Sequence, residues 1–203
     1  MCSSDLAQIS ALADDIAYLS HDIDDGLRAG LFSVHELTNA PLAGPFFRDA
    51  LTRAPGSDLG RLIGEGARRL ITAMVEDVTA ETSRRVAAAS PSSVSAVRAE
   101  PDVLAAFSAG FAQEMSALKG YLFRHMYRHE RVMNVMTRAQ KAVGDLFGAF
   151  LADPSAMPED WAAACDGPGQ ARTARAVADY IAGMTDRFAL QEYKRIFHMD
   201  FLL

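Results

Sequence analysis

The chain has 203 residues, half of them hydrophobic and 23% charged, with 26 acidic against 20 basic side chains and a formal charge of −6. That balance describes a soluble globular protein of single-domain size and argues against a dedicated nucleic-acid binder, which carries a basic surplus. No run approaches the roughly 18 apolar residues that cross a bilayer, and no signal-peptide pattern opens the chain, so the expected setting is the cytoplasm, away from any membrane.

Alanine, leucine, arginine and glutamate fill long stretches and strand-length β-branched alternation is almost absent, which predicts an all-α fold. In chain order the expected helices are 6–28, 34–39, 44–53, 59–89, 101–110, 111–129, 131–152, 159–165 and 168–197, the last broken near Gly183. Turn chemistry separates them: Pro55-Gly56-Ser57-Asp58 ends in a capping residue, Ser90-Pro91-Ser92-Ser93 is a small-residue loop, and Gly167-Pro168 stops one helix and starts the next. Connections this short predict one compact helical body. Leu59, Leu62, Ile63, Leu70, Ile71, Met74, Val75 and Val78 keep helical spacing, which marks 59–89 as a core helix. Phe107, Phe111, Phe147 and Phe150 are expected in the core, and the arginines of 59–89 are expected at the surface beside Glu65 and Glu81.

The first helix carries the chemistry. At about 100° per residue, Asp14, Tyr18, His21, Asp22 and Asp25 project within one third of its circumference, opposite Leu12, Ile16, Leu19, Ile23 and Leu27. Carboxylates stacked one turn apart repel each other by a few tenths of a kcal/mol, a penalty that a cation would remove. Two readings of this face are open: a solvated acidic surface, or part of a metal site completed by ligands from other helices, since one straight helix cannot surround a metal. The two cysteines, Cys2 and Cys165, stand far apart and make neither a disulfide framework nor a zinc cluster. No Walker-type glycine-rich loop is present, which removes the P-loop NTPases.

The run Ala13-Asp14-Asp15-Ile16-Ala17-Tyr18 followed by His21-Asp22-Ile23-Asp24-Asp25-Gly26-Leu27-Arg28 resembles the last metal-ligand segment of the bacterial deoxynucleoside triphosphate triphosphohydrolases, the dGTPase-like branch of the HD-domain phosphohydrolases. Leu118 to Phe123 with Met126 to His129, and Ala178 to Ala189, resemble the same family in the same order. The resemblance implies an all-helical HD-type fold, with residues 1–30 as the last helix segment of a metal-binding domain and 31–203 as the C-terminal helical region. It implies that Asp14 is the final ligand of a divalent ion such as Mg or Mn, that Tyr18 packs on a deoxyribose, and that Asp22 is an acid on the sugar or phosphate side. His21-Asp22 is then not the family's metal-binding His-Asp pair, which lies upstream, and no histidine precedes His21. Leu19-Ser20 departs from the two asparagines that relatives usually carry.

Hydrolysis of a dNTP, dGTP above all, to deoxynucleoside and tripolyphosphate needs a metal-activated water, and one aspartate cannot hold an open coordination shell. The expectation is therefore a fragment of such an enzyme, inactive as it stands, with homo-oligomerisation implied for the intact protein. The alternative is a non-catalytic helical module that binds or senses a nucleotide. One back-translation of the first six residues runs into a common sequencing adapter, so the native reading is expected to begin near Ala7, with an upstream part missing. Arg124, Arg128 and Arg131, close in helical projection, are read either as a solvated basic face or as contacts to triphosphate oxygens or a regulatory nucleotide. His125 and His129 have the zinc-gripping spacing, but Met126 stands where a zinc hydrolase carries glutamate.

Overall fold

The computed structural model describes residues 5–199, so Cys2 and the adapter-like start lie mostly outside the described residues. It is all-α: among the described residues every regular element is helical. The expectation of one body is corrected, because the chain divides between His129 and Glu130 into two compact units. Each unit has its own apolar core, which is the physical reason for the division.

In the first unit, α1 (Asp5–Arg28) buries Ile16, Leu19, Ile23 and Leu27 at spacings of three and four. It stops at Gly30, whose φ of +62° favours glycine, and the Leu31 amide reaches back to the Gly26 carbonyl at 2.9 Å. A single turn, α2 (Val34–Leu37), is held by Ser33 and Glu36 in a reciprocal capping box. Helix α3 (Gly44–Arg53) packs against the long α4 (Leu59–Ala89), which Asp58 caps. The contact needs Gly66, because a β-carbon there would stand 2.6 Å from the fully buried Phe47 ring. Arg68 and Arg69 pair with Glu65, and Arg84 and Arg85 pair with Glu81 and hold its carboxyl down to about 2.

The expected helix 101–110 does not form. A short α5 (Val94–Ala99) lies before it, and residues 101–108 are irregular. Side chains replace the helical ladder there: Gln8 Oε1 accepts from the Leu104 and Ala105 amides at 3.0 Å, and Asp77 accepts from Ser108 N at 2.8 Å. The next helix, α6 (Ala109–Leu122), runs into a π-turn, Phe123–Tyr127, closed by the Arg128 amide on the Phe123 carbonyl at 2.9 Å.

The second unit contains α7 (Glu130–Ala152), a 3-10 turn (Pro154–Ala156), α8 (Glu159–Ala162), α9 (Ala171–Ala182) and α10 (Asp186–Phe197). The expected 168–197 helix breaks at Gly183 as predicted, but it starts at Ala171, since Gly167 and Gly169 have positive φ. Leu146, Phe150, Met157 and Val177 form the core. Tyr193 and Tyr180 join it with their hydroxyls satisfied by Asp145 and Glu192.

Candidate functional site

Helix α1 is exposed along a ridge with a cleft on one side and a furrow on the other. Asp14, Tyr18, His21 and Asp25 are exposed on the ridge. Asp22 does not join them as the helical projection predicts: it is only 8% exposed. The π-turn causes the difference, because it swings Tyr127 over the end of the Asp22 side chain. Tyr127 donates to Asp22 Oδ2 at 2.5 Å, and its hydroxyl lies 2.6 Å from that of Tyr18. A phenol has one proton to give, so with Tyr127 donating to the carboxylate, Tyr18 donates to Tyr127.

These three residues line a cleft of about 390 Å³ together with Asp15, Leu19, Lys119, Leu122 and Phe123. Tyr18, 60% exposed, and the exposed Phe123 give it aromatic walls. Lys119 Nζ, 3.0 Å from Asp15 Oδ1, sets an ammonium at its edge. Burial pushes the Asp22 carboxyl above its ordinary value, the Tyr127 hydrogen bond opposes this, Asp25 adds to it and His21 eases it. The Tyr127 hydroxyl is itself pushed up, by burial first and then by its bonds to Asp22 and Tyr18. The cleft thus combines flat apolar surface, a carboxylate acceptor and a nearby cation, a combination suited to a ring or sugar bearing hydroxyls and a negative group.

His21 and Asp22, adjacent in sequence, turn to different hollows: Asp22 into this cleft and His21 into the furrow between α1 and α4. They cannot act as one ligand pair. Asp14 lies between them on the ridge and lines neither hollow. Among the described residues no group of three or more His, Cys, Asp or Glu side chains could hold a metal ion. The described donors therefore do not fit a divalent ion by themselves, and Asp14 offers one carboxylate only.

The three arginines do not share a helix face. Arg124 lies in the π-turn and Arg128 caps it, its guanidinium 5.1 Å from the Phe123 ring, while Arg131 opens α7 in the second unit. The straight-helix projection that joined them fails because the π-turn adds a residue to the turn and the helix then ends. His125 stacks on Tyr121 at 4.2 Å between ring centroids, which occupies it in packing. Sequence reasoning gave no site role to Tyr127, Lys119 or Phe123. The signal for them was their place in the family-like stretches 118–123 and 126–129.

Comparison with known proteins identifies relatives of the chain as a whole. The phosphohydrolase-associated domain family matches residues 105–195. A deoxyguanosinetriphosphate triphosphohydrolase-like protein of Parvibaculum lavamentivorans is 49% identical over 95% of this chain and 49% of its own length. Proteins of the same description from Caulobacter vibrioides and Azorhizobium caulinodans are 44% and 51% identical, over 96% and 94% of this chain and 49% and 48% of their own lengths. The chain belongs to the deoxyguanosinetriphosphate triphosphohydrolase-like family. It spans about half the length of the curated relatives it matches. No helix among the described residues is long and apolar enough to cross a membrane.

Proposed function

We propose that this chain is the C-terminal half of a cytoplasmic, metal-dependent dNTP triphosphohydrolase, with dGTP as the leading substrate and deoxynucleoside and tripolyphosphate as products. Residues 1–30 close the metal-binding domain and 31–203 form the C-terminal helical region. Asp14 supplies one ligand to a Mg or Mn ion whose other ligands come from outside this chain; when bound, that ion activates water and neutralises phosphoryl oxygens. The intact enzyme is a homo-oligomer.

The observation that carries this reading is the Tyr18–Tyr127–Asp22 network, whose Tyr18 stands one turn from Asp14 on α1. Tyr18 offers its ring to a sugar, and Asp22, oriented by Tyr127, accepts a hydrogen bond from a sugar hydroxyl. Lys119, drawn from its pairing with Asp15, supplies a charge for the phosphates. A cleft without a metal shell binds nucleotide and does not cleave it, so the 203-residue chain is expected to be inactive and to retain weak binding.

The test is to incubate the purified chain with dGTP and manganese or magnesium, following tripolyphosphate release, and to measure dGTP binding by calorimetry. No release, with binding that Tyr18→Ala weakens about tenfold or more, is expected. Sustained tripolyphosphate release overturns the proposed inactivity, and absence of binding at millimolar dGTP overturns the proposed cleft.

A further inference from the structure

Helix α4 carries more apolar residues at helical spacing than its own core uses. Ile63, Leu70 and Met74 are buried, but Ile71 and Val75, one turn apart, are 37% and 47% exposed. Across from them α1 presents Ile9, 53% exposed, then Ala13 and Ala17 at intervals of one turn. Between the helices runs a furrow of two hollows, about 560 and 370 Å³, which adjoin each other across Ala13, Ile16 and Val75.

Single exposed apolar side chains are ordinary on a protein surface. A stripe of them on two facing helices is different, because a helix apolar on two faces is stable when both are covered. The furrow has the form that receives a third helix: Ile71, Val75 and Val78 on the α4 wall, and on the α1 wall Ile9 and Ile16 with Ala13 and Ala17 between, whose small side chains let a backbone approach. The occupant follows from length. The relatives carry about as much polypeptide again, with no counterpart in this chain.

We propose that the α1–α4 furrow seats the apolar face of a helix from the half of the family's polypeptide that this chain does not span. A helix lying there would run beside the ridge that carries Asp14, since Ala13 and Ala17 line the furrow and Asp14 lies next to them. The inference rests on family membership and on this surface, and on no step of the proposed reaction.

The test compares one pair of substitutions in two settings. Ile71→Lys and Val75→Lys are made in the 203-residue chain and in a chimera that joins the unmatched half of the P. lavamentivorans relative to this chain in the relative's own order. In the chain alone both positions are solvent-facing, so the melting temperature should move by no more than about 2 °C. In the chimera it should fall by roughly 5 °C or more, because a lysine is then forced under a packed helix. Equal shifts in the two settings overturn the proposal. Loss of a dimer of the 203-residue chain in light scattering also overturns it, by assigning the furrow to a second copy. If the chimera lacks one cooperative transition, lysines at the two aligned positions of the relative itself replace it, and an unchanged melting temperature there overturns the proposal.

Discussion

The two sides of α1 solve the same problem in different ways. Toward α6 the helix buries a carboxylate and satisfies it with a phenol from 105 residues away, leaving a cleft with polar edges. Toward α4 it leaves apolar side chains exposed along a furrow. Both sides rest on the same core residues, so the difference lies in what each hollow can receive. A satisfied polar network in an open cleft is prepared for a small polar ligand, whereas an uncovered apolar stripe is prepared for more protein.

The largest way to break the comparison is to remove what both sides share. Ile23→Ala, at a fully buried position of α1, should destabilise the first unit by about 2–5 kcal/mol, read by urea denaturation, and degrade cleft and furrow together. Tyr127→Phe acts on one side only. It takes the donor from Asp22 and the acceptor from Tyr18, so it should cost about 1 kcal/mol in stability, weaken dGTP binding, and leave the furrow unchanged.

Asp22→Asn sharpens the same contrast through pH. The Asp22 carboxyl is raised above 3.8 by burial, so its contribution to folding is complete below that pH and is lost as the pH rises through the folded value. Asparagine titrates nowhere in this range. The melting temperature of the variant relative to the parent should therefore rise as the pH rises from 3.8 toward 7; a relative fall over that range contradicts the assignment. Glu81 titrates with the opposite sign. Held down to about 2 by Arg84 and Arg85, it contributes stability above its ordinary 4.5 that is lost as the pH falls toward 2. The smallest effect is expected from Lys119→Ala, whose exposed pairing with Asp15 contributes about 0–1 kcal/mol, so its consequence should appear in dGTP affinity and not in stability.

Much of the first unit could be read before the structure. The bounds of α3 and α4 fall where the sequence places them, Asp58 capping the start of α4, and the ridge bearing Asp14 and Tyr18 follows from spacing alone. The misreadings share one cause. Segment 101–108 has helical composition, but Gln8, Thr82 and Asp77 take its backbone amides, and none of those residues is its sequence neighbour. Arg124, Arg128 and Arg131 project together only if the helix continues, and the π-turn ends it. Ile71 and Val75 have the spacing of core residues, yet the spacing does not say which apolar positions the folded chain covers.

The sequence by itself determined the helical class, the Asp58 cap of α4, and the ridge position of Asp14 and Tyr18 on α1, because each depends on interactions within about one turn of chain. Tertiary structure alone decided that Asp22 is buried, that Tyr127 bridges it to Tyr18, that the chain folds as two units, and that α4 shows a second apolar face to solvent. The physical reason is reach. Helical periodicity repeats every 3.6 residues, while burial and hydrogen bonding across the molecule depend on partners a hundred residues away, whose positions no local pattern encodes.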